Sequence, residues 1–157
     1  MNIFLSVIIP TYNESQRITS TLVQIIEYLD SSEFTYEIIV SDDGSSDNTK
    51  AQVERFEKSN SKIKLLALTH KGKGWAVRNG LNYAEGTYRF ICDADLSMPI
   101  HYLEKFLPPN IENSDIIIGS REIKGARRIG EPQVRHIMGR IYNLLIRFIF
   151  ESPLRCI

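Results

Sequence analysis

Five short apolar runs recur along the chain, and each has the length of a β-strand. They are mostly apolar on both faces and rich in Ile, Val and Leu, which is typical of parallel strands covered on two sides. The runs are FLSVII (4–9), YEIIV (36–40), KIKLLAL (62–68), TYRFIC (87–92) and DIIIG (115–119). We predict a strand for each of them.

Helical patterns fill the intervals between the first four runs. Residues 15–29 place apolar side chains at helical spacing, residues 47–58 open with Asp47 and Asn48 as candidate caps, and residues 74–84 follow the same period. Strands and helices that alternate through short connections predict an α/β fold, with a mostly parallel, doubly wound sheet flanked by helices.

Polar side chains collect where three of these strands end. Ligands of open α/β sheets bind beyond the carboxyl ends of the strands, so the residues there are site candidates. They are PTYNE (10–14), SDDGS (41–45) and DAD (93–95). Three acidic or small polar ends on one edge predict a binding site.

Asp93 and Asp95 stand two positions apart, so in extended chain both carboxylates point the same way and Ala94 points away. Two negative charges at so short a separation favour a cation between them. Mg²⁺ and Mn²⁺ prefer such oxygen ligands together with substrate phosphates. The alternative is a solvated turn before Pro99. From the spacing alone, the two interpretations are equally supported.

Asp42 and Asp43 follow the second strand and begin an acidic turn. A carboxylate at this point accepts hydrogen bonds from a ribose hydroxyl or a base N–H in dinucleotide-binding folds. The alternative is a simple turn in which Asp47 caps the next helix, and for Asp47 itself that alternative is the better one.

Pro10, Tyr12 and Glu14 offer a ring face and an acceptor to a base, whereas the alternative is a plain corner between strand and helix. The basic loop HKGKGW (70–75), which contains Lys73, suits a phosphate but is not specific for one. It matches neither a Walker loop nor G-x-G-x-x-G, so ordinary kinases, P-loop enzymes and NAD enzymes have no support.

Composition adds limits and one asymmetry. The chain has 157 residues, 43% hydrophobic and 24% charged, which suits one soluble domain, and its 19 basic and 19 acidic side chains cancel. Two cysteines without a disulfide framework or metal spacing predict a reducing compartment. The N-terminus lacks a basic region and resembles a strand more than a signal peptide, and no apolar run reaches the ~18 residues of a membrane span.

The closing segment is basic and contains a strong helical period over residues 133–150. One interpretation is a helix packed on the sheet with a solvated basic face. The other is an interfacial helix, with its apolar side against lipid and its arginines at the headgroups. The sequence supports both.

Five motifs together resemble the inverting glycosyltransferases of family 2, most of all the branch that makes dolichyl- or polyprenyl-phosphate sugars, including dolichyl-phosphate β-glucosyltransferases. They are IIPTYNE (8–14), VSDDGSSDNT (40–49), GKGWAVRNGLNYAEG (72–86), DADLSMP (93–99) and IIIGSR (116–121), in that order. The resemblance implies a glycosyltransferase A-type fold. It further implies a nucleotide-sugar-binding α/β domain over 1–120 and a basic acceptor loop with an amphipathic helix over 121–157.

The resemblance also implies roles for single residues. The nucleoside would be held by Pro10, Tyr12, Glu14, Asp42 and Asp43. Asp93 and Asp95 would hold the diphosphate through Mg²⁺ or Mn²⁺, with Asp95 the more direct ligand, and Lys73 and Ala94 would complete the donor site. Arg121 and Arg135 would bind donor or acceptor phosphates, because a planar guanidinium fork suits that task. We expect Asp93, Asp95, Arg121 and Arg135 to be the catalytic residues.

The implied reaction moves glucose or mannose from UDP-glucose or GDP-mannose to a polyprenyl or dolichyl phosphate with inversion. Such an acceptor is already anionic (its second pKa is about 6), so it needs no general base. Two alternatives stay open: a family 2 transferase acting on a sugar hydroxyl, and a truncated, non-catalytic nucleotide-sugar-binding module.

For partners and location, we expect a cytoplasmic protein held peripherally at the cytoplasmic membrane face through residues 133–150. We expect no nucleic-acid partner, and a homo-oligomer is left open. Relatives continue past the position of Ile157 with further basic residues, and they tend to carry Ser where Gly139 stands. We therefore expect a C-terminally short fold that binds its donor but turns over poorly.

Overall fold

The computed structural model of the chain describes residues 2–111, 114–119 and 138. The strands are β1 (Leu5–Thr11), β2 (Tyr36–Asp42), β3 (Ile63–Ala67) and β4 (Tyr88–Ile91), and the α-helices are α1 (Ile18–Asp30), α2 (Thr49–Ser59) and α3 (Lys73–Tyr83). A 3₁₀ helix, Ile100–Phe106, follows β4. The first four predicted strands and all three predicted helices are confirmed, with ends that differ by at most three residues.

The four strands form one parallel sheet in the order β3-β2-β1-β4. β1 pairs with β2 along its whole length, from Leu5 opposite Tyr36 to Thr11 opposite Asp42. Both of these central strands are buried at every position, as their apolar runs predict. β4 pairs with β1 only as far as Ile8 opposite Ile91, so β1 extends beyond the end of β4.

Alternate residues of the strands supply two cores, because successive side chains point to opposite faces of a sheet. On one face, Val7 and Ile9 pack with the apolar sides of α1 and α2 and with the 3₁₀ helix. On the other face, Ile8 packs with Ile39 and Ala84. Each buried Ile or Leu stabilises the fold by about 1.5–3 kcal/mol. The two cores therefore hold the sheet, and with it the residues at the carboxyl ends of the strands, in place.

α3 lies very close to the sheet because Gly80 has no side chain. A Cβ at this position would lie 2.4 Å from Cγ2 of Ile8, inside any allowed contact. Glycine is therefore required for the helix to approach β1 so closely. The position of α3, and of the residues at its N-terminus, depends on this contact.

Two features differ from the predictions. The 3₁₀ helix after Pro99 was not predicted, because its seven residues are too short for a helical period. The predicted strand at 115–119 is wrong: these residues form a bend and irregular chain, with Ile116 and Ile118 about 80% exposed. A strand requires a hydrogen-bonded neighbour, and no strand within the described ranges pairs with this segment.

The chain divides into two compact units, Met1–Glu112 and Asn113–Ile157. The predicted domain boundary at residue 120 stays a prediction, and Arg121, Arg135 and nearly all of the predicted helix 133–150 lie outside the described residues. From that helix only Met138 is described, in helical conformation and 65% exposed. Among the described residues, no helix has the length and apolarity that crossing a membrane requires.

Candidate functional site

A cavity of about 320 Å³ opens at the carboxyl ends of the strands, where the sequence predicts a site. Its lining residues are Pro10, Thr11, Tyr12, Glu14, Asp43, His70, Gly72, Lys73, Ala76, Asp93, Ala94 and Asp95. Eight of the ten predicted donor-site residues are among them. Asp42 is not, and Arg121 lies outside the described residues.

The cavity begins where β1 extends past β4. The last hydrogen bond between these strands runs from the Cys92 amide to the carbonyl of Ile8. Pro10 lies beyond this point, where it has no N–H to donate and none is needed toward β4. The carboxyl end of β1 and the segment 93–95 after β4 consequently line the same cavity.

Tyr12 supplies an aromatic ring at this edge and is 46% exposed. Its ring stacks on the imidazole of His70, with centroids 4.2 Å apart and planes 22° from parallel. Nδ1 of His70 lies 2.8 Å from the Asp43 carboxylate and 3.0 Å from the Asp43 carbonyl, so this nitrogen carries the proton. The Tyr12–His70 pair is therefore held in place from the end of β2.

Asp43 anchors the loop that leads into α3. Its carboxylate accepts hydrogen bonds from the amides of Lys71 (2.9 Å) and Gly72 (2.7 Å) in addition to the His70 contact. Burial raises the pKa of this carboxyl, but the hydrogen bonds and the adjacent imidazole outweigh it, so the pKa is lowered overall. Asp43 lines the cavity, yet most of its hydrogen-bonding capacity serves the loop.

Asp42 is turned away from the cavity and is 2% exposed. It accepts hydrogen bonds from the hydroxyl of Thr11 and from the amide and hydroxyl of Ser45. The turn is tight because Gly44 has a φ of +73°, and a Cβ there would lie 2.9 Å from the amide nitrogen of His70. Asp42 thus joins the end of β1 to the turn after β2.

Two further polar residues lock the loops after β1 and β2 together. Asn13, at a φ of 57°, accepts a hydrogen bond from the Ser46 amide through its side-chain oxygen. Asp47 accepts hydrogen bonds from the amides of Ser15 and Thr49 and from the Thr49 hydroxyl. Burial raises the pKa of Asp47, but the hydrogen bonds from Thr49 and Ser15, those of their side chains most of all, outweigh it and lower the pKa. The N-cap of α2 is Asn48, whose side chain makes no capping bond, and Asp47 bonds the first amide of the helix from one position earlier.

Asp93 forms an ion pair across the cavity wall with Lys73, the first residue of α3. The Lys73 ammonium lies 2.6 Å from Oδ1 of Asp93, and both side chains are more than half exposed. The neighbouring Ala94 carbonyl accepts a 2.6 Å hydrogen bond from the Thr21 hydroxyl, which fixes this segment against α1. The segment is therefore anchored to α1, while the carboxylate of Asp93 faces solvent.

Asp95 is fixed by the residue two positions further along the chain. The hydroxyl and amide of Ser97 donate to its Oδ1 at 2.7 and 2.9 Å, and these two bonds lower the pKa of Asp95, with a smaller contribution from the charge of Arg17. The Arg17 guanidinium also lies 3.4 Å from Glu14. Asp95 is consequently ionised and oriented near neutral pH.

The donor set of Asp93 and Asp95 fits a hard divalent ion, because carboxylate oxygens are the ligands that Mg²⁺ and Mn²⁺ prefer. A cation already lies against Asp93 in the form of the Lys73 ammonium. Among the described residues, no group of three or more His, Cys, Asp or Glu side chains could hold a metal ion alone. The remaining ligands would have to come from water or from a bound phosphate.

Cys92 precedes this pair and is 4% exposed, as expected of a core residue. Burial raises the pKa of its thiol to about 12, and the negative charges of Asp93 and Asp95 add to the shift. The thiol is therefore protonated at neutral pH, as expected of a buried structural cysteine.

Comparison with known proteins assigns the family. The sequence profile described as "Glycosyl transferase family 2" matches residues 6–154. The chain belongs to this family. The parallel sheet flanked by helices is accordingly a glycosyltransferase A-type fold, and the predictions of fold and family are confirmed.

One relative is a dolichyl-phosphate beta-glucosyltransferase of Trichomonas vaginalis, 34% identical over 156 residues that cover 92% of this chain and 46% of that protein. The chain spans less than half of the length of the curated relatives it matches first.

Two solved structures share the fold. One is a mannosyltransferase from Pyrobaculum calidifontis in complex with GDP-Man and Mn²⁺ (31% identity, TM-score 0.53, 60% of this chain and 28% of that one). The other is TarS 1–349 from S. aureus in complex with UDP-GlcNAc (33% identity, TM-score 0.51, 59% and 27%).

The sequence analysis did not single out three residues that the structure brings to this site. His70 stacks on Tyr12, Ser97 orients Asp95, and Arg17 contributes charge near Asp95 and Glu14. The Ser97 contact could have been predicted, because an aspartate in a turn commonly accepts a hydrogen bond from the amide two residues further on. The contact of His70 with Tyr12 spans 58 positions of the chain and has no local signal.

Proposed function

We propose that the chain is an inverting glycosyltransferase that binds a nucleoside-diphosphate sugar. It would move glucose or mannose from this donor to a polyprenyl or dolichyl phosphate. The observation that carries the proposal is one cavity, in a family 2 chain, whose lining includes an exposed aromatic ring and two exposed carboxylates. The dolichyl-phosphate beta-glucosyltransferase relative favours glucose and a lipid phosphate. The GDP-Man and UDP-GlcNAc complexes leave uracil and guanine as candidate bases.

The nucleoside would bind at the end of the cavity formed by Pro10, Tyr12 and Glu14. The ring of Tyr12 is exposed enough to stack on a base, and offset stacking of two rings is worth about 0.5–1.5 kcal/mol. Asp43 would support this end by holding His70 and the loop behind it. Asp42 would act further back, through its hydrogen bonds to Ser45 and Thr11.

The diphosphate would bind at the other end, beside Asp93, Ala94 and Asp95. These two carboxylates would hold Mg²⁺ or Mn²⁺, which neutralises charge on the leaving diphosphate when it is bound. Ser97 keeps Asp95 ionised and oriented, and Thr21 fixes the Ala94 carbonyl. Lys73 places an ammonium beside the same group, where it can contact a phosphate.

The acceptor phosphate would attack the anomeric carbon from the face opposite the diphosphate. A bond forms between a phosphate oxygen and that carbon, the bond from the carbon to the diphosphate breaks with its electron pair, and the configuration inverts. The attacking oxygen is already anionic near neutral pH, so no proton has to be removed. Arg121 and Arg135 would align the phosphates by bidentate hydrogen bonds.

The lipid acceptor implies work at a membrane surface. In the proposal, the helix predicted over 133–150 lies in the interface with its apolar side toward lipid and its arginines at the headgroups. The chain would then act peripherally at the cytoplasmic face, where nucleotide sugars and the lipid phosphate can meet.

Transfer of radiolabel tests the proposal. The chain is incubated with labelled UDP-glucose or GDP-mannose and dolichyl phosphate in detergent, with Mg²⁺ or with EDTA. We expect label in the organic phase with one of the two donors, and none with EDTA. Asp95→Asn should abolish the transfer, whereas Asp30→Asn, which changes an exposed aspartate outside the cavity, should not.

The two alternatives give different results in the same assay. Label that passes to a sugar hydroxyl but to no lipid phosphate would replace the proposed acceptor. Donor binding without any transfer would identify a nucleotide-sugar-binding module instead of an active transferase.

A further inference from the structure

We infer that Lys73 holds the place of the divalent cation on Asp93 until a donor arrives, and then moves its ammonium to the donor diphosphate. The inference rests on the proposed function and extends it to the order in which metal and donor bind. Lys73 would thereby make the binding of the metal and the nucleotide cooperative.

The ion pair itself is the first support. The Lys73 ammonium lies 2.6 Å from Oδ1 of Asp93, which is as short as charge-assisted hydrogen bonds become. A metal ion bound to the same oxygen would stand within a few ångströms of this ammonium and repel it. Lys73 and a divalent ion therefore compete for Asp93.

The pair is weak enough to exchange. The side chains of Lys73 and Asp93 are 66% and 51% exposed, and exposed ion pairs are typically worth less than about 1 kcal/mol. Lysine carries its charge on a flexible four-carbon stem, so its ammonium can leave the carboxylate without a backbone movement. A dication accompanied by phosphates can displace it.

The start of the stem, in contrast, is fixed. Lys73 opens α3, the preceding loop is bonded to Asp43 through the Lys71 and Gly72 amides, and α3 is seated on Ile8 through Gly80. An ammonium released from Asp93 consequently remains at the cavity wall. The nearest anion would then be the diphosphate of a bound donor.

A count of formal charges gives the direction of the coupling. Asp93 and Asp95 carry two negative charges and Lys73 one positive charge. Adding a divalent ion alone makes the site net positive, whereas adding the ion with a diphosphate of two negative charges returns it to one negative charge. Lys73 therefore disfavours the metal alone and favours the metal together with the nucleotide.

Manganese binding measured by electron paramagnetic resonance tests the inference on the whole chain, with UDP and GDP as nucleotide probes. We expect Lys73→Met to bind Mn²⁺ alone about fivefold more tightly than the unsubstituted chain. The same variant should bind the nucleotide about fivefold more weakly at saturating Mn²⁺. Lys73→Arg keeps the charge and should show both original affinities within about twofold.

Lys62→Met is the matched control. It removes a lysine from another exposed ion pair with an aspartate, at 2.7 Å from Asp30 and away from the cavity, so both affinities should be unchanged. Unfolding by urea checks that Lys73→Met is as stable as the unsubstituted chain. Opposite shifts of the two affinities in Lys73→Met alone would support the inference.

Other results would overturn it. If Lys73→Met binds Mn²⁺ alone no more tightly than the unsubstituted chain while UDP or GDP still binds with Mn²⁺, the exchange is wrong and the proposed donor site stands. If the unsubstituted chain binds neither nucleotide with Mn²⁺, the proposed function and the inference both fail.

Discussion

Two pairs of aspartates lie at the carboxyl ends of two strands of the same sheet, and they differ in almost every physical respect. Asp42, the last residue of β2, and Asp43, which follows it, are each 2% exposed and accept hydrogen bonds from neighbouring loops. Asp93 and Asp95, after β4, lie at the cavity, where Asp93 pairs with an exposed lysine side chain and Asp95 with the nearby Ser97. Asp42 and Asp43 hold the loops around the site in place, whereas Asp93 and Asp95 are exposed to a ligand in the cavity.

The position of each strand in the sheet explains the difference. β2 lies between β1 and β3, so loops on both sides cover its carboxyl end. β4 is the edge strand of the described sheet, and it stops at Ile91 while β1 continues to Thr11. A carboxylate after a central strand is thus enclosed, and one after the shorter edge strand is left open.

The largest effect on stability is expected from Asp43→Asn. The substitution removes the charge that accepts two amide hydrogen bonds, and the free energy of unfolding should fall by about 2–3 kcal/mol. Asp93→Asn, which changes an exposed ion pair, should cost less than about 1 kcal/mol. Urea unfolding of both variants measures the two losses of free energy. Equal losses would contradict a structural role for Asp43 that Asp93 does not share.

The reverse order is expected for binding of UDP with Mg²⁺. Asp95→Asn removes a predicted metal ligand and should weaken binding at least ~10-fold, because even partners of metal ligands contribute that much. Isothermal titration calorimetry with and without EDTA measures the change. An unchanged affinity would remove Asp95 from the metal site, and Asp30→Asn serves as the control for a lost surface charge.

A smaller effect is expected at the aromatic wall. Tyr12→Ala removes the stacking ring and should weaken UDP or GDP binding about fivefold, since aromatic stacking is worth about 0.5–1.5 kcal/mol. Tyr12→Phe keeps the ring and should bind within about twofold of the original. If the alanine variant binds like the phenylalanine variant, the base does not stack on this residue.

The smallest effect concerns pH. The folded-state pKa of Asp43 is lowered below its ordinary value of about 3.9, so its contribution to stability is complete above that value and is lost as the pH falls through the folded pKa. Stability by urea unfolding should therefore drop below about pH 4. The drop should be shallower in Asp43→Asn but not absent, because the pKa of Asp47 is also lowered.

Most of the sheet could be predicted from the sequence. The central strands are buried on both faces, so their apolar runs are continuous, and the helices between them show their period because one side of each faces water. Positions that depend on a neighbour were less predictable. The run at 115–119 is apolar enough for a strand but is not paired within the described residues, and the 3₁₀ helix after Pro99 has no periodic signal.

The candidate site was predicted as a set of residues but not as an arrangement. Asp42 and Asp93 have the same local surroundings in sequence, each after an apolar run and close to a second aspartate. Their different exposure depends on what covers the strand end. For β2 this is the loop at 68–72, which is nearly thirty positions away and brings Gly72 and His70 onto Asp43.

The close contact between Gly80 and Ile8 fixes the middle of α3 against the sheet. Gly80 lies seven positions after Lys73, about 10 Å along a helix that rises ~1.5 Å per residue. A helix is stiff over that length, so a side chain at position 80 that tilted α3 would also displace the ammonium of Lys73. The position of the Lys73 ammonium therefore depends on Gly80, which contacts neither the donor nor the carboxylates. A designer who wished to move the ammonium could start with the contact between Gly80 and Ile8.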